Sequence, residues 1–367
     1  MAVDHDYMGR ALRLAHRGLY TTDPNPRVGC VIVDDKGIAG EGWHQRAGGP
    51  HAEIHALRRA GERARGATAY VTLEPCSHHG RTPPCADALV EAGVHRVVAA
   101  MADPNPLVSG NGFRKLREAG VAVKTGVLEA QAKALNPGFI KRMSTGKPYV
   151  RVKLAMSLDG RTAMADGESQ WITSAAARED VQKLRARSSA VMTGIGTVLH
   201  DNPSLNVRLS ADALGTPGAV RQPLRVVLDS QCRFPRDAGM LKLDGNTLLL
   251  TSCENTESWA EKLEVVQLPA ANGRVDLPAA MDLLAQREIN EIQVEAGAVL
   301  NGALLEAGLV DEIIIYMAPH LMGDNGRGLF HLPALRHMDQ RIGLQITDIR
   351  AVGQDWRISA IPKTALE

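Results

Sequence analysis

The chain has 367 residues, a formal net charge of +1, 44% hydrophobic and 23% charged residues, and only 4% aromatic residues. That length suits two domains of roughly 100–200 residues each. The near-neutral charge and scarce aromatics exclude a global pull toward nucleic acid or anionic lipid and a base-stacking platform, so neither partner is expected. No run of about 18 apolar residues occurs, so no membrane span is expected either.

The N-terminus, MAVDHDYMGRALRLAHRG, carries early acidic residues and short apolar groups, unlike a signal peptide. It reads as an amphipathic helix with Met8, Leu12 and Ala15 on one face. Five cysteines are an odd number, two of them in a metal-like cluster, which suits a reducing, cytoplasmic setting. Short Val-rich strands are expected over 28–33, 68–73, 96–100 and 121–124. Helices are expected over 51–64, 84–92 and 112–119, the last two stopping at Gly93 and Gly120. Such alternation implies a mostly parallel sheet covered by helices.

Residues 135–148, LNPGFIKRMSTGKP, mark an expected boundary, dividing the chain into domains 1–146 and 147–367. A second alternating series starts at 149–156, with strands over 190–193, 225–228, 247–251, 265–268, 291–294 and 312–316. Its helices are expected over 174–187, 277–286 and 298–307, with loops over 208–222 and 231–245. Two final strands around Gly353 add an antiparallel end to a second α/β sheet.

The sharpest chemical signal is His51-Ala52-Glu53, followed by Pro75-Cys76 and then Cys85. A hydrolytic zinc site needs three protein ligands and one open position, and zinc there lowers the pKa of a bound water toward neutrality. His51, Cys76 and Cys85 supply the ligand set, with one Zn2+ per chain. Glu53, two positions after the histidine, can reach that water without ligating the metal and carry its proton to a departing amine. His51 and Glu53 open an expected helix and Cys85 opens the next, where helix N-termini favour thiolate. An alternative pairs His51 with His55 at i,i+4, although a metalloprotease helix places Glu directly after its first His. His78 and His79 lie inside the cysteine spacing and could ligate, contact substrate or serve the loop. The generic signature has two residues between its cysteines, whereas here eight separate Cys76 from Cys85.

The stretches HAEIHALRRAG and TAYVTLEPCSHHGRTPPC, with TDPNPRVGC and GEGWH upstream, closely resemble the RibD family, the bifunctional deaminase/reductases of riboflavin biosynthesis. The long cysteine gap containing SHHGRTPP is that family's own variant. The second half is similar to the same family through KLAMSLDGRT, SQWITS, GIGTVLHDNPSLNVR and EAGAVLNGALL. The resemblance implies a cytidine-deaminase-like α/β/α sandwich followed by a dihydrofolate-reductase-like α/β domain. It implies a phosphoribosylated diaminopyrimidinone substrate, with Asn25, His44, His78 and Arg81 near it. Asn25 between two prolines also reads as a simple turn residue.

For the second domain, the resemblance implies NADPH held by Ala155, Trp171, Thr197, Asp201, Ser230 and the run Gly297, Ala298, Val299, Leu300, Asn301, Gly302, Ala303. It implies substrate contacts from Ser169, Arg185, Leu205, Arg208 and Glu295. Lys153 and Asp201 are candidates for proton handling, and guanidinium groups suit a phosphate ester. Read alone, Gly297 before a helix and Gly194-Ile-Gly196-Thr197 after a strand are equally a tight turn and a helix cap. Leu199 departs from the Rossmann G-x-G-x-x-G pattern. Many relatives carry Asp-Asp-Pro-x-Leu-Thr where this chain has Asp201-Asn202-Pro203-Ser204-Leu205-Asn206. A homo-oligomer is expected. Competing readings are a tRNA or DNA base deaminase with an accessory domain, and a deaminase fused to a domain that binds NADPH without turning it over.

Overall fold

A computed structural model describes residues 2–77, 84–106, 108–254 and 257–363. The chain divides into two compact units, Met1–Gly146 with Gly215–Gly218, and Lys147–Leu214 with Ala219–Glu367.

The first unit runs α1 (Ala2–His16), β1 (Gly29–Asp34), β2 (Gly37–Trp43), α2 (Ala52–Ala60), β3 (Thr68–Val71), α3 (Cys85–Glu91), β4 (Arg96–Ala99), α4 (Asn111–Glu118), β5 (Ala122–Lys124), α5 (Glu129–Leu135) and α6 (Pro137–Thr145). Its sheet has the order β2-β1-β3-β4-β5. β1 pairs antiparallel with both β2 and β3, while β3, β4 and β5 are parallel. The expected mostly parallel sheet is therefore corrected to a mixed one. The cause is a tight hairpin: Asp34 pairs with Gly37 around Asp35 and Lys36, and a loop that short joins only antiparallel strands.

β2 lies outside the expected strands because its sequence, GIAGEGW, is glycine-rich, and glycine weakens strand propensity. Packing requires those glycines. A Cβ at Gly40 would sit 2.2 Å from the Ala56 carbonyl oxygen, and one at Gly42 would sit 2.2 Å from that of Ala52. The glycines let α2 settle directly on the sheet, where Ala52, Ala56 and Ala60 join the core. On the opposite face Gly29 admits α1, whose Ala11 carbonyl oxygen would lie 2.0 Å from an added Cβ. Residues 135–148 are mostly helix α6, with Pro137 in its first turn, and the helix stops at Gly146, φ 71°. Proline is tolerated in that turn and glycine accepts the left-handed cap.

The second unit continues β6 (Tyr149–Ser157), α7 (Ala175–Arg187), β7 (Ala190–Gly194), α8 (Ile195–Asp201), α9 (Ala211–Leu214), β8 (Leu224–Leu228), β9 (Thr247–Thr251), β10 (Leu263–Gln267), β11 (Ala270–Ala271), β12 (Arg274–Val275), α10 (Leu277–Gln286), β13 (Glu291–Val294), α11 (Ala298–Glu306), β14 (Glu312–Ala318), β15 (Leu344–Val352) and β16 (Asp355–Pro362). Nine strands form one sheet in the order β10-β9-β8-β7-β13-β6-β14-β16-β15, and β11 pairs with β12 separately. The strands from β10 to β14 are parallel, and β16 and β15 add antiparallel pairs, as the C-terminal pattern implies. The segments expected as loops each contain one helical turn, α9 and a 3-10 turn at Gly239–Lys242. Central strands such as LRVVL and TLLLT are buried on both faces, so their apolar runs are continuous.

A single carboxylate ties α1 to the first sheet. Asp4, 7% exposed, accepts hydrogen bonds from Arg96 at 3.0 and 2.9 Å, Lys124 at 2.8 Å and the Tyr70 hydroxyl at 3.1 Å. Hydrogen bonding to Arg96 first, then Lys124 and Tyr70, holds its carboxyl well below the usual range despite burial. A depressed folded-state pKa contributes stability that is complete above the unfolded value and lost as pH falls below it. Asp4→Asn should lower the stability of this unit by about 1–3 kcal/mol at pH 7. In calorimetric melts the gap from wild type should close as pH drops below about 4, and a gap independent of pH would contradict the assignment.

Candidate active sites

The first site is assembled where α2, the end of β3 and α3 meet. His51 is the N-cap of α2, Cys76 follows β3, and Cys85 is the first residue of α3. The Gly42–Ala52 approach sets the start of α2 and so the place of His51. The ligand atoms of His51, Cys76 and Cys85 all lie within 4.8 Å of one another. His51 Nδ1 is 3.3 Å from Cys85 Sγ and 3.5 Å from Cys76 Sγ, and the Cys85 amide donates to Cys76 Sγ at 3.3 Å. Cys76 and Cys85 are thus neighbours in space despite the eight residues between them.

Electrostatics show the same convergence. Hydrogen bonding from Cys85, helped by His51, lowers the Cys76 thiol to about 4. The contact with Cys76, together with burial, pushes the Cys85 thiol up. Hydrogen bonding to Cys76 raises His51. Two sulfurs and an imidazole at this separation form a donor set for a divalent ion such as zinc, whose charge would favour the thiolate forms. Glu53 stands beside them, 3% exposed, with Oε2 lacking a hydrogen-bond partner. Burial, reinforced by the Cys76 charge and opposed by His51, pushes its carboxyl up to about 7. A buried carboxyl with one unpartnered oxygen and a raised proton affinity, next to a metal-type cluster, is what a proton shuttle requires.

Two neighbours have a defined hydrogen-bond polarity. His44, 2% exposed, places Nδ1 3.1 Å from the Pro50 carbonyl, which can only accept, so Nδ1 carries the proton. Its Nε2 then accepts from Asn25 Nδ2 at 3.0 Å, which leaves Asn25 Oδ1 as the acceptor of that amide. Burial lowers His44, keeping it neutral, and its ring stands edge-on to His51 at 5.5 Å. Asn25 is thus more than a turn residue. His55 stays outside the cluster, with Nε2 buried and unpartnered. Cys30 is fully buried on β1 and takes no part in the ligand group. His78, His79 and Arg81 lie outside the described residues.

The second unit collects its candidate residues at one edge of the parallel sheet. Ala155 lies in β6, Thr197 follows β7, Ser230 follows β8, and Glu295 and Gly297 follow β13. These strands are neighbours in the order β8-β7-β13-β6, so their C-terminal ends share one side, where open α/β sheets bind ligands. Arg185 on α7, only 8% exposed, grips Glu295 through Nε to Oε1 at 2.6 Å and Nη2 to Oε2 at 2.8 Å. It is no surface arginine, despite its charged helix. Burial alone would raise Glu295, but Arg185 and the Lys153 ammonium bring it to about 2. Burial depresses Lys153, with Glu295 opposing and Arg185 assisting.

Other candidates are placed as follows. Asp201 accepts from His200 Nδ1 at 2.8 Å, and Arg208 donates to Ser204 Oγ at 2.8 Å. Ser169 is half-buried, whereas Trp171 is 68% exposed beneath the Arg178 guanidinium. Ser230 Oγ accepts from the Val275 amide at 2.9 Å. Leu205 is packed in the core beside Val191 and Ile195, leaving its backbone, φ 49°, as the part able to meet a ligand. Gly297, Ala298, Val299 and Leu300 form the accessible start of α11, while Ala303 is half-buried. Asn301 is buried and donates to the Ala296 carbonyl at 2.9 Å, and Gly302 makes room for the His331 backbone. Asn202 occupies the left-handed cap of α8 and accepts from the Gly239 amide at 2.8 Å, a conformation asparagine tolerates. Patterning misses Gln293, which donates to Glu295 Oε1 at 2.7 Å; the available signal is a lone amide in an otherwise buried strand.

The chain is similar to known proteins in sequence and fold. The profile described as "Cytidine and deoxycytidylate deaminase zinc-binding region" matches residues 1–101, and "RibD C-terminal domain" matches residues 148–358. The chain is 54% identical to riboflavin biosynthesis protein RibD of Escherichia coli, covering 96% of this chain and 97% of that protein. This chain belongs to the RibD family. Against the Haemophilus influenzae RibD the identity is 50%, with 97% of each chain covered. The solved structure of Acinetobacter baumannii RibD superposes with a TM-score of 0.89 at 46% identity, covering 98% of this chain and 99% of that one. The Thermotoga maritima deaminase/reductase gives 0.87 at 33% identity over the same shares. As a RibD-family protein, the chain is a bifunctional deaminase and reductase of riboflavin biosynthesis, with a zinc-binding deaminase domain and a RibD reductase domain. Its His51/Cys76/Cys85 group can hold the zinc.

Metal analysis of the purified protein should find about one zinc per chain. Cys76→Ser should lose most of it and lower the melting temperature of the first unit, since metal binding couples to folding. Cys30→Ala should keep the metal. Equal zinc loss in both variants would contradict the ligand assignment.

Proposed function

We propose that residues 1–146 hydrolytically deaminate 2,5-diamino-6-(5-phosphoribosylamino)pyrimidin-4(3H)-one and that residues 147–367 reduce the resulting 5-amino-6-(5-phosphoribosylamino)uracil to 5-amino-6-(5-phosphoribitylamino)uracil with NADPH. The Thermotoga maritima relative is a diaminohydroxyphosphoribosylaminopyrimidine deaminase and 5-amino-6-(5-phosphoribosylamino)uracil reductase. The observation carrying the first half is the buried Glu53 carboxyl, with Oε2 unpartnered, beside the His51/Cys76/Cys85 group. When bound there, zinc supplies an activated water. Glu53 accepts the proton of the attacking water and delivers it to the amine as it leaves. Asn25 offers Oδ1 to a ring N–H or amino group, and His44 holds that amide in place. His78 and Arg81 complete the proposed substrate contacts.

In the second half, Ala155, Trp171, Thr197, Asp201, Ser230 and residues 297–303 would hold NADPH, which would supply a hydride for ribosyl C1′. Ser169, Arg185, Leu205, Arg208 and Glu295 take the phosphoribosyl group, the arginines suiting its phosphate and Glu295 a sugar hydroxyl. Lys153, whose proton burial loosens, and Asp201 supply the proton that the ring oxygen takes up as the sugar ring opens. We further place the protein in the cytoplasm, in keeping with its free cysteines. Among the described residues no helix is long and apolar enough to cross a membrane. A homo-oligomer is proposed because edge strand β15 exposes Leu344, Ile346 and Ile349 beside Trp356 and Ile361.

Glu53→Ala tests the division of labour. Zinc content should persist while ammonia release falls by about 10³-fold or more. Oxidation of NADPH with supplied deaminated intermediate should continue at the wild-type rate. Loss of both activities in a folded variant would contradict separate sites.

A further inference from the structure

Glu295 is the acidic group on the sheet edge where the reductase substrate is placed, and its hydrogen bonds are unevenly shared. Oε1 accepts from Arg185 Nε at 2.6 Å and from Gln293 Nε2 at 2.7 Å, whereas Oε2 accepts only from Arg185 Nη2 at 2.8 Å. An ionised carboxylate offers about two acceptor positions per oxygen. Oε1 is therefore filled, and Oε2 keeps one position open. Arg185 alone would leave one vacancy on each oxygen. Gln293 removes that ambiguity.

Gln293 is fully buried, in a strand whose other residues, Glu291, Ile292 and Val294, are buried too. Its amide orientation is dictated, because Glu295 can only accept and so must receive the NH2 group. The amide oxygen, Oε1, then has no partner. Burying such an oxygen is unfavourable. A glutamine kept here at that cost points to the bond it makes to Glu295. The charged groups on its face of the sheet are Arg151 and Lys153 from β6, Arg185 and Arg187 from α7, and Glu291 and Glu295 from its own strand. Among them a neutral donor can block Glu295 Oε1 without adding a second positive charge to the Arg185 pair.

We propose that Gln293 is a positioning residue for the reductase half-reaction: it occupies Glu295 Oε1 so that Oε2 is the one acceptor presented to a hydroxyl of the ribosyl substrate. The proposal rests on Glu295 contacting that substrate. It predicts a loss in substrate binding rather than in hydride transfer.

Three variants of the full chain decide it, assayed for reduction of the deaminated intermediate at saturating NADPH. Gln293→Met, close in size, should raise KM for the intermediate about tenfold, the effect of one hydrogen bond to a charged group. It should change kcat and ammonia release little. Gln293→Glu can donate to Glu295 only while protonated. Its KM should lie near wild type at about pH 6 and rise toward pH 8.5, a dependence that simple misfolding would not produce. Glu295→Gln should raise the same KM. If Glu295→Gln leaves KM unchanged, the assignment of Glu295 to the substrate falls, and the proposal with it. If Glu295→Gln raises KM but Gln293→Met does not, the proposal alone is overturned. If Gln293→Met fails to fold, Gln293→Glu decides: a KM that tracks wild type at every pH overturns the proposal.

Discussion

The first unit depends on three donor atoms, His51 Nδ1 and the sulfurs of Cys76 and Cys85, being held within 4.8 Å of one another. No single element could deliver them. One comes from a helix N-cap, one from the chain leaving a strand, and one from the first residue of a second helix. The glycines of β2 let α2 lie against the sheet at backbone contact, and this close packing carries the histidine and Glu53 to the sulfurs. Asp4 binds the opposite helix to β3, β4 and β5, so both helical layers are fixed to the same strands. The acid–base chemistry follows from burial: the environment that leaves Glu53 Oε2 without a partner also raises the carboxyl's affinity for a proton.

The second unit uses charge differently. Its candidate site contains a buried ion pair, Arg185 with Glu295, set where parallel strands end and close to a lysine depressed by burial. A buried pair contributes little net stability, because desolvation offsets much of the attraction. Its value here is geometric. Arg185 also donates to the Asn206 carbonyl at 3.0 Å, tying the loop after α8 to the same carboxylate. The Asn202–Asn206 segment that departs from the commoner family pattern is thus anchored by the site itself.

The His-x-Glu and Pro-Cys signals were legible because metal ligation demands particular residue types, whatever the spacing. The second sheet was legible because its buried strands are continuous apolar runs. Less visible were features whose cause lies in tertiary contact. β2 looks like a turn until α2 is placed on its glycines. Arg185 looks like a solvated residue of KLRAR until β13 brings Glu295 beneath it. Leu205, expected at the substrate, has its side chain in the core, and Gly302 serves a backbone contact with His331. Gln293 carries no motif at all, and its meaning depends on the carboxylate two residues further along the same strand face.

The central claim is that His51, Cys76 and Cys85 together hold one zinc ion with a position left for water. Zinc K-edge X-ray absorption on the purified protein addresses it directly. The account predicts two sulfur scatterers at about 2.3 Å with nitrogen and oxygen scatterers at about 2.0–2.1 Å, including the multiple-scattering signature of a single imidazole. A shell without sulfur, a shell of four sulfurs, or one lacking imidazole would contradict it.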